Sequence, residues 1–459
     1  MDSVRHLVGA SFSNKTSQTT CNPPFLHYFS GAGSQGVGDV QSFCLADCCI
    51  PCPPQETFFG KTFNDGLHTV DWINMISLGL CILLLISFVV LPSSKTYRNH
   101  YLVGITLSFA TLHATNSFVA TNYKATVCSD TITMATQFTS SRCFIQGAMF
   151  IWGLLASIIW LGLRMIVLHL QIVYAYIAPA KAERFVVHFI GWGIPTIFTT
   201  VALAMGKVRF ELGHVCGPTI SDGLGLLWIP LMIFAAPPAM LHLWTLTKIA
   251  TVMQVATRVE PMEMITDDKG NMSISSVPRY EYRKAGVRDI FLMQWRSIFI
   301  TLFCMTVALY YGGSNVILFN QLNKTAENVP HIIAWLTCGQ TNNYNFTNCT
   351  KLAKNILPIW RSLSADALRS VMGVVLFVVE ARRSFWRAWS ELVVMLYRKA
   401  LGKSHAIDGW EHYYHFNNDP LSGGEGKDTV VDGMRIRTVL DENGRTTYEI
   451  FADEDLLGF

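Results

Sequence analysis

Seven stretches of mostly apolar residues follow one another along the chain, near 72–92, 101–120, 144–172, 186–206, 225–249, 291–313 and 356–380, separated by polar links. A helix needs roughly 20 apolar residues to cross a hydrocarbon core about 30 Å thick, because each residue rises about 1.5 Å. Each stretch meets that length, and a helix satisfies its own backbone in lipid. The pattern predicts seven membrane-spanning helices. The third is the longest and should tilt or project beyond the bilayer; the seventh is the least apolar.

Lysine and arginine in the links set the orientation. Lys95 and Arg98 follow the first span, and Lys181 and Arg184 follow the third. Arg258, Lys269, Arg279, Arg283, Lys284 and Arg288 precede the sixth, and Arg382, Arg383 and Arg387 follow the seventh. These sides are expected to be cytoplasmic, with the N-terminus outside. Lys207, Arg209, Lys351 and Lys354 run against the trend. Glycosylation sequons at Asn14, Asn323, Asn345 and Asn348 fall on the predicted outside, whereas the one at Asn271 falls in a cytoplasmic link and should stay bare. Cysteines sort the same way. Cys21, Cys44, Cys48, Cys49, Cys52, Cys128, Cys143, Cys216, Cys338 and Cys349 lie outside, an even set suited to an oxidising compartment, while Cys81 and Cys304 lie within spans.

Composition narrows the class further. Of 459 residues 51% are hydrophobic and 15% charged, against roughly 25% charged in an average soluble domain. The net charge of +3, without a basic-aromatic cluster, excludes a nucleic-acid partner. The expected fold class is an all-α membrane protein. It comprises an extracellular Cys-rich segment over 1–68, a seven-helix bundle over 69–380, an amphipathic juxtamembrane helix over 381–399 and a mobile cytoplasmic tail over 400–459.

The N-terminal segment carries Cys44, Cys48, Cys49 and Cys52 close together. It reads as a disulfide-stapled cap, with a ligand-binding domain or a Cys/His zinc site as weaker alternatives. No basic n-region followed by an apolar core precedes it, so the first span is expected to act as the targeting signal. Cys338 and Cys349 are expected to close a local loop between the sixth and seventh spans. Beyond the last span, Arg383, Phe385, Trp386, Trp389, Leu392, Val393, Leu396 and Tyr397 mix bases with apolar residues. This pattern suits a helix along the inner leaflet, although its first turn could continue the seventh helix.

Particular residues point to a family. Gly153-Leu154-Leu155-Ala156-Ser157-Ile158-Ile159-Trp160 in the third span is followed by His188, Trp192 and Pro195 in the fourth, then Ala204-Met205-Gly206 and Val215-Cys216-Gly217. Individually these could be ordinary helix-packing residues. Their joint order over about 70 residues resembles the frizzled and smoothened receptors within the G protein-coupled superfamily. The resemblance implies a Cys143–Cys216 bridge tying an outer loop to the bundle. It also implies an activation switch in which Arg296 holds the sixth helix against the seventh, opposite Phe377, where the family has Trp. Arg296 could instead snorkel to the headgroups.

The chain also departs from that family. Sixty-eight residues with five cysteines cannot hold the family's large Cys-rich domain, so a Wnt-type protein ligand is not expected. The Lys-Thr-x-x-x-Trp motif that recruits Dishevelled would fall near Glu380, Ala381 and Phe385 or Trp386, where neither Lys nor Thr stands. What remains resembles short, domain-less receptors of fungal type.

Ionisable groups inside lipid cost on the order of 2.5–3.5 kcal/mol each, so they should face the bundle interior. Asp366 and Arg369 share a helix face and can pair, as a structural ion pair or a ligand contact. His113 and Asn116 share a face in the second span, to line a pocket or bond across helices. Arg164 lies near the inner surface, as a G-protein contact or a membrane anchor.

These features predict a plasma-membrane receptor for a small molecule, sterol or lipid, signalling to a heterotrimeric G protein. A transporter or channel is the rival, but internal repeats, charge rings and filter loops are missing from the sequence. An enzyme is not expected, since no metal-binding or phosphate-loop motif appears. Neither cofactor nor metal is implied, and the seventh span lacks the lysine a retinal linkage requires.

Overall fold

The computed structural model describes residues 26–27, 44–45, 48–92, 96, 99–174, 180–211, 213–258, 263–266, 272–275, 280–323, 325–342, 346–356 and 359–401. It also describes strand segments at 428–431, 434–440 and 446–452. Asn14, Asn271 and Asn345 lie outside the described residues, as do the side chains of Asn323 and Asn348.

Seven helices are long and apolar enough to cross a membrane: Phe63–Val90, His100–Ala120, Ser141–Leu170, Arg184–Ala204, Leu224–Lys248, Ile298–Leu318 and Trp360–Glu380. The chain is a multi-pass membrane protein of the all-α class. The first span begins at Phe63 rather than near 72, within a helix Pro54–Val90 that reaches into the expected N-terminal cap. Asp65, His68 and Asp71 make its first turns look polar, but Asp71 is turned inward and buried. The sixth span likewise lies toward the C-terminal part of a longer helix, Tyr280–Asn323.

The chain divides into two compact units, 1–82 with 104–377 and 83–103 with 378–459. In the first, the third span is the hub, packing against the fourth and fifth, and the fifth packs against the sixth. Trp160 of the third span is fully buried, and a Cβ added at Gly104 or at Gly191 would fall into its ring. Glycine at both positions therefore lets the second and fourth helices close on the indole, next to the rings of His188 and Trp192. The other faces of the spans carry exposed Trp72, Ile76, Phe185, Phe189, Ile197 and Ile233, as lipid contact requires.

Disulfides staple one end of this unit, joining Cys52 to Cys128, Cys143 to Cys216 and Cys338 to Cys349; Cys49 is also disulfide-bonded. Beside the last pair, Phe58, Trp335 and Phe346 stack with centroids 4.4 and 4.3 Å apart over buried Ile50 and Ala353. Cys81 and Cys304 are free and buried.

In the second unit the helix Arg383–Ala400 is separate from the seventh span, because residues 381–382 leave helical geometry. It buries Phe385, Ala388 and Leu392, while Trp386, Val393, Leu396 and Tyr397 stay exposed. Trp389 Nε1 donates to Ser87 Oγ at 2.9 Å. The tail, expected to be a mobile segment, contains three strands. Strands Asp428–Val431, Met434–Leu440 and Thr446–Ala452 pair as an antiparallel meander. Alternation such as Arg435-Ile436-Arg437 supplies the strand period that a search at helical period passes over.

Candidate functional site

A cavity of about 120 Å³ opens within the first unit near its disulfide-bonded end. Its walls come from the first, second, third, fifth, sixth and seventh spans and from loop residues within 209–211 and 213–218. That loop is a short antiparallel pairing of Val208–Arg209 with Gly217–Pro218, held by the Cys143–Cys216 bridge.

Two glutamines fix the loop further. Gln146 Nε2 donates to the carbonyl oxygens of Thr115 and His214 at 2.9 and 3.1 Å, and its Oε1 accepts from the Cys216 amide at 3.0 Å. Gln55 donates to the Gly213 carbonyl and accepts from the Gly213 amide, both at 2.8 Å, and also donates to the Tyr123 hydroxyl. Gly213 has φ +83°, a conformation L side chains rarely adopt, so glycine suits this turn. Burial, with Glu56 close by, pushes the Tyr123 phenol above its ordinary range, leaving it protonated as an acceptor for Gln55.

The cavity wall carries a polar chain. The second span breaks between helices His100–Ala114 and Ser117–Val127, and this interruption presents Asn116. Asn116 Nδ2 donates to Asp71 Oδ1 at 2.7 Å, and Asp71 Oδ2 contacts His214 Nδ1. One turn deeper along the helix, His113 Nδ1 meets Asn74 Oδ1 at 2.8 Å. His113 and Asn116 thus bond across to the first span, and Asn116 also faces the cavity.

From the seventh span, Arg369 also lines the cavity and is only 2% exposed. Its Nε lies 3.5 Å from Asp366 Oδ1, and its guanidinium lies 5.9 Å from the ring centroids of both Phe150 and Tyr311. Its Nη1 has no hydrogen-bond partner among the described residues. Six formal charges line the cavity, Arg209, Arg361 and Arg369 against Asp71, Glu211 and Asp366. Arg209 is paired with Glu211 and Asp71 is held by Asn116 and His214. The Arg369 guanidinium therefore keeps donor capacity to spare.

The remaining candidates lie apart from this cavity. Arg296 stands over the Trp295 ring at 5.6 Å, Phe377 is buried, and Arg164 is half-buried in the third span.

Residues 65–261 match the family model described as the slime mold cyclic AMP receptor. A relative named "G protein-coupled receptor gprM", from Aspergillus fumigatus, is 28% identical over 381 residues, covering 80% of this chain and 73% of that protein. Over these residues the chain is similar to receptors that couple to G proteins.

The matched segment spans Asp71, Asn74, Gln146 and His214, none of which stood out in the sequence. Asp71 and Asn74 flank the point where apolar density begins, and His214 was overshadowed by Cys216 beside it. The available signal was an acid and an amide three residues apart, hence on one helix face.

Proposed function

We propose that this receptor sits in the plasma membrane with its disulfide-bonded end outside and its tail in the cytoplasm. A polar small molecule carrying an anionic group enters the cavity and sets that group against Arg369. The observation that carries the reading is the buried Arg369 guanidinium with an unused donor, since a buried charge is costly unless paired and hydrogen-bonded. The six charged residues among its lining favour such a molecule over a sterol or a bilayer lipid. The likeness to a family named for cyclic AMP agrees with an anionic ligand.

Ligand binding would bias the bundle between two states. The sixth helix would be released from contacts of Arg296 near Phe377, and a heterotrimeric G protein would engage the second and third cytoplasmic links beside Arg164. The name of the Aspergillus relative supports that partner. The narrower frizzled/smoothened-like reading is supported by the joint packing of Trp160, His188 and Trp192, three of the residues on which the resemblance rests.

Nucleotide exchange on purified G proteins, with the receptor in nanodiscs, tests the proposal. Exchange should depend on the receptor and change in Arg296→Ala. Absence of exchange with every G protein, together with solute or ion flux through the same preparation, would replace the receptor reading with a transporter.

A further inference from the structure

His68, Asp71 and His214 converge although His214 stands 143 residues from Asp71 along the chain. Their donor atoms lie within 4.8 Å of one another. His68 and Asp71 share a face of the first helix, with His68 Nδ1 3.9 Å from Asp71 Oδ2. His214 reaches the same oxygen from the loop side through its own Nδ1. The two imidazole centroids are 5.2 Å apart.

We propose that these three side chains bind a divalent transition-metal ion, Zn²⁺ foremost, at the mouth of the cavity. The donor set is two imidazole nitrogens and one carboxylate oxygen. Such a set suits Zn²⁺, which takes His and Asp ligands at about 2.0–2.2 Å. Ca²⁺ and Mg²⁺ prefer oxygen-only shells and are poorly matched.

The surroundings already have the form of an outer shell. Asn116 Nδ2 holds Asp71 Oδ1, leaving Oδ2 toward the two imidazoles. Ligating carboxylates are commonly fixed by a hydrogen bond of this kind. Tyr123 packs its ring 4.4 Å from His214, and Gln146 grips the His214 carbonyl, so the loop-borne ligand is positioned before any metal arrives. His68 is exposed, which provides an entry path, while Asp71 and His214 are buried. On binding, the neutral His214 ring would take the tautomer protonated at Nε2, its single proton passing from Nδ1 to Nε2, so that Nδ1 and Asp71 Oδ2 both present lone pairs to the ion; Nε2 has no partner among the described residues. Three protein ligands leave a coordination position open, and Asp71 and His214 belong to the cavity wall.

The test uses the full chain in nanodiscs, with any affinity tag removed, and Zn²⁺ titrated against a fluorescent chelator. One zinc equivalent should bind, and Asn116→Ala should weaken it by about 10–100-fold. His68→Ala and His214→Ala should weaken it at least as much. Co²⁺ should give the intense visible bands of a tetrahedral site, lost in His68→Ala. His68 is exposed, so this variant should keep the wild-type melting temperature and separate ligand loss from misfolding. Equal zinc binding in wild type and His68→Ala, no stoichiometric binding, or displacement of zinc by equimolar Ca²⁺ would each overturn the proposal. The readout is the metal alone, so a failure of signalling leaves this result untouched.

Discussion

Asp71 in the first span and Asn116 at the break in the second are joined by a hydrogen bond of 2.7 Å, with both side chains buried. The helix interruption and the buried carboxylate account for each other. The break presents the amide, and the amide donates to one oxygen of a buried carboxylate that would otherwise lack a partner there. Through Asp71 the link continues to His214, so a span–span contact also positions the loop that roofs the cavity.

Removing the amide should therefore affect more than one helix. Asn116→Leu leaves Asp71 Oδ1 without its donor, at a cost of about 1–2 kcal/mol by the scale of unsatisfied buried groups and of membrane hydrogen bonds. A lower melting temperature of the purified protein is expected, relieved when Asp71→Leu is added. A double variant less stable than Asn116→Leu alone would show that the pair is not coupled.

Much of this was legible beforehand, but unevenly. Seven apolar runs gave the spans because lipid imposes a length on them, and the aromatic-basic run after Glu380 gave the amphipathic helix. The start of the first span was hidden because Asp65, His68 and Asp71 look like loop residues until the bundle supplies an interior for Asp71. Pairing of Asp366 with Arg369 followed from their spacing of three. The Asp71–Asn116 link did not, because the two residues are far apart in sequence and meet only through helix packing. For the same reason the Cys52–Cys128 bridge, across a separation of 76 residues, could not be chosen from ten candidate cysteines.

That bridge ties the start of the first helix to the segment beyond the second. A Cys52→Ala/Cys128→Ala double variant removes the cross-link without leaving a reactive thiol. It should lower stability by about 2–4 kcal/mol, the usual range for a native disulfide. Thermal melting of the purified protein measures this, and an unchanged melting temperature would mean that the staple contributes little beside the Gln55–Gly213 contacts.

Glycosylation tests which end faces outward. Mass spectrometry of the protein from a eukaryotic host should find glycan on one or more of Asn14, Asn323, Asn345 and Asn348 and none on Asn271. Sugar on Asn271 with the others bare would reverse the orientation and move the cavity to the cytoplasmic side.

Trp160 provides a test of the packing behind the sequence resemblance. Gly191→Ala places a methyl group where the indole lies, and Trp160 cannot withdraw because Gly104 closes on it from the second span. Overpacking of this kind costs about 1–3 kcal/mol, whereas Trp160→Leu leaves a cavity and should cost about 3 kcal/mol or more. The two defects are complementary in volume, so the double variant should be more stable than their sum predicts, by at least about 0.5 kcal/mol. Melting of the four proteins in one detergent would give the coupling. Strict additivity would mean that the fourth helix shifts to accommodate the methyl group, and the Gly191–Trp160 contact would not fix the spacing of these helices.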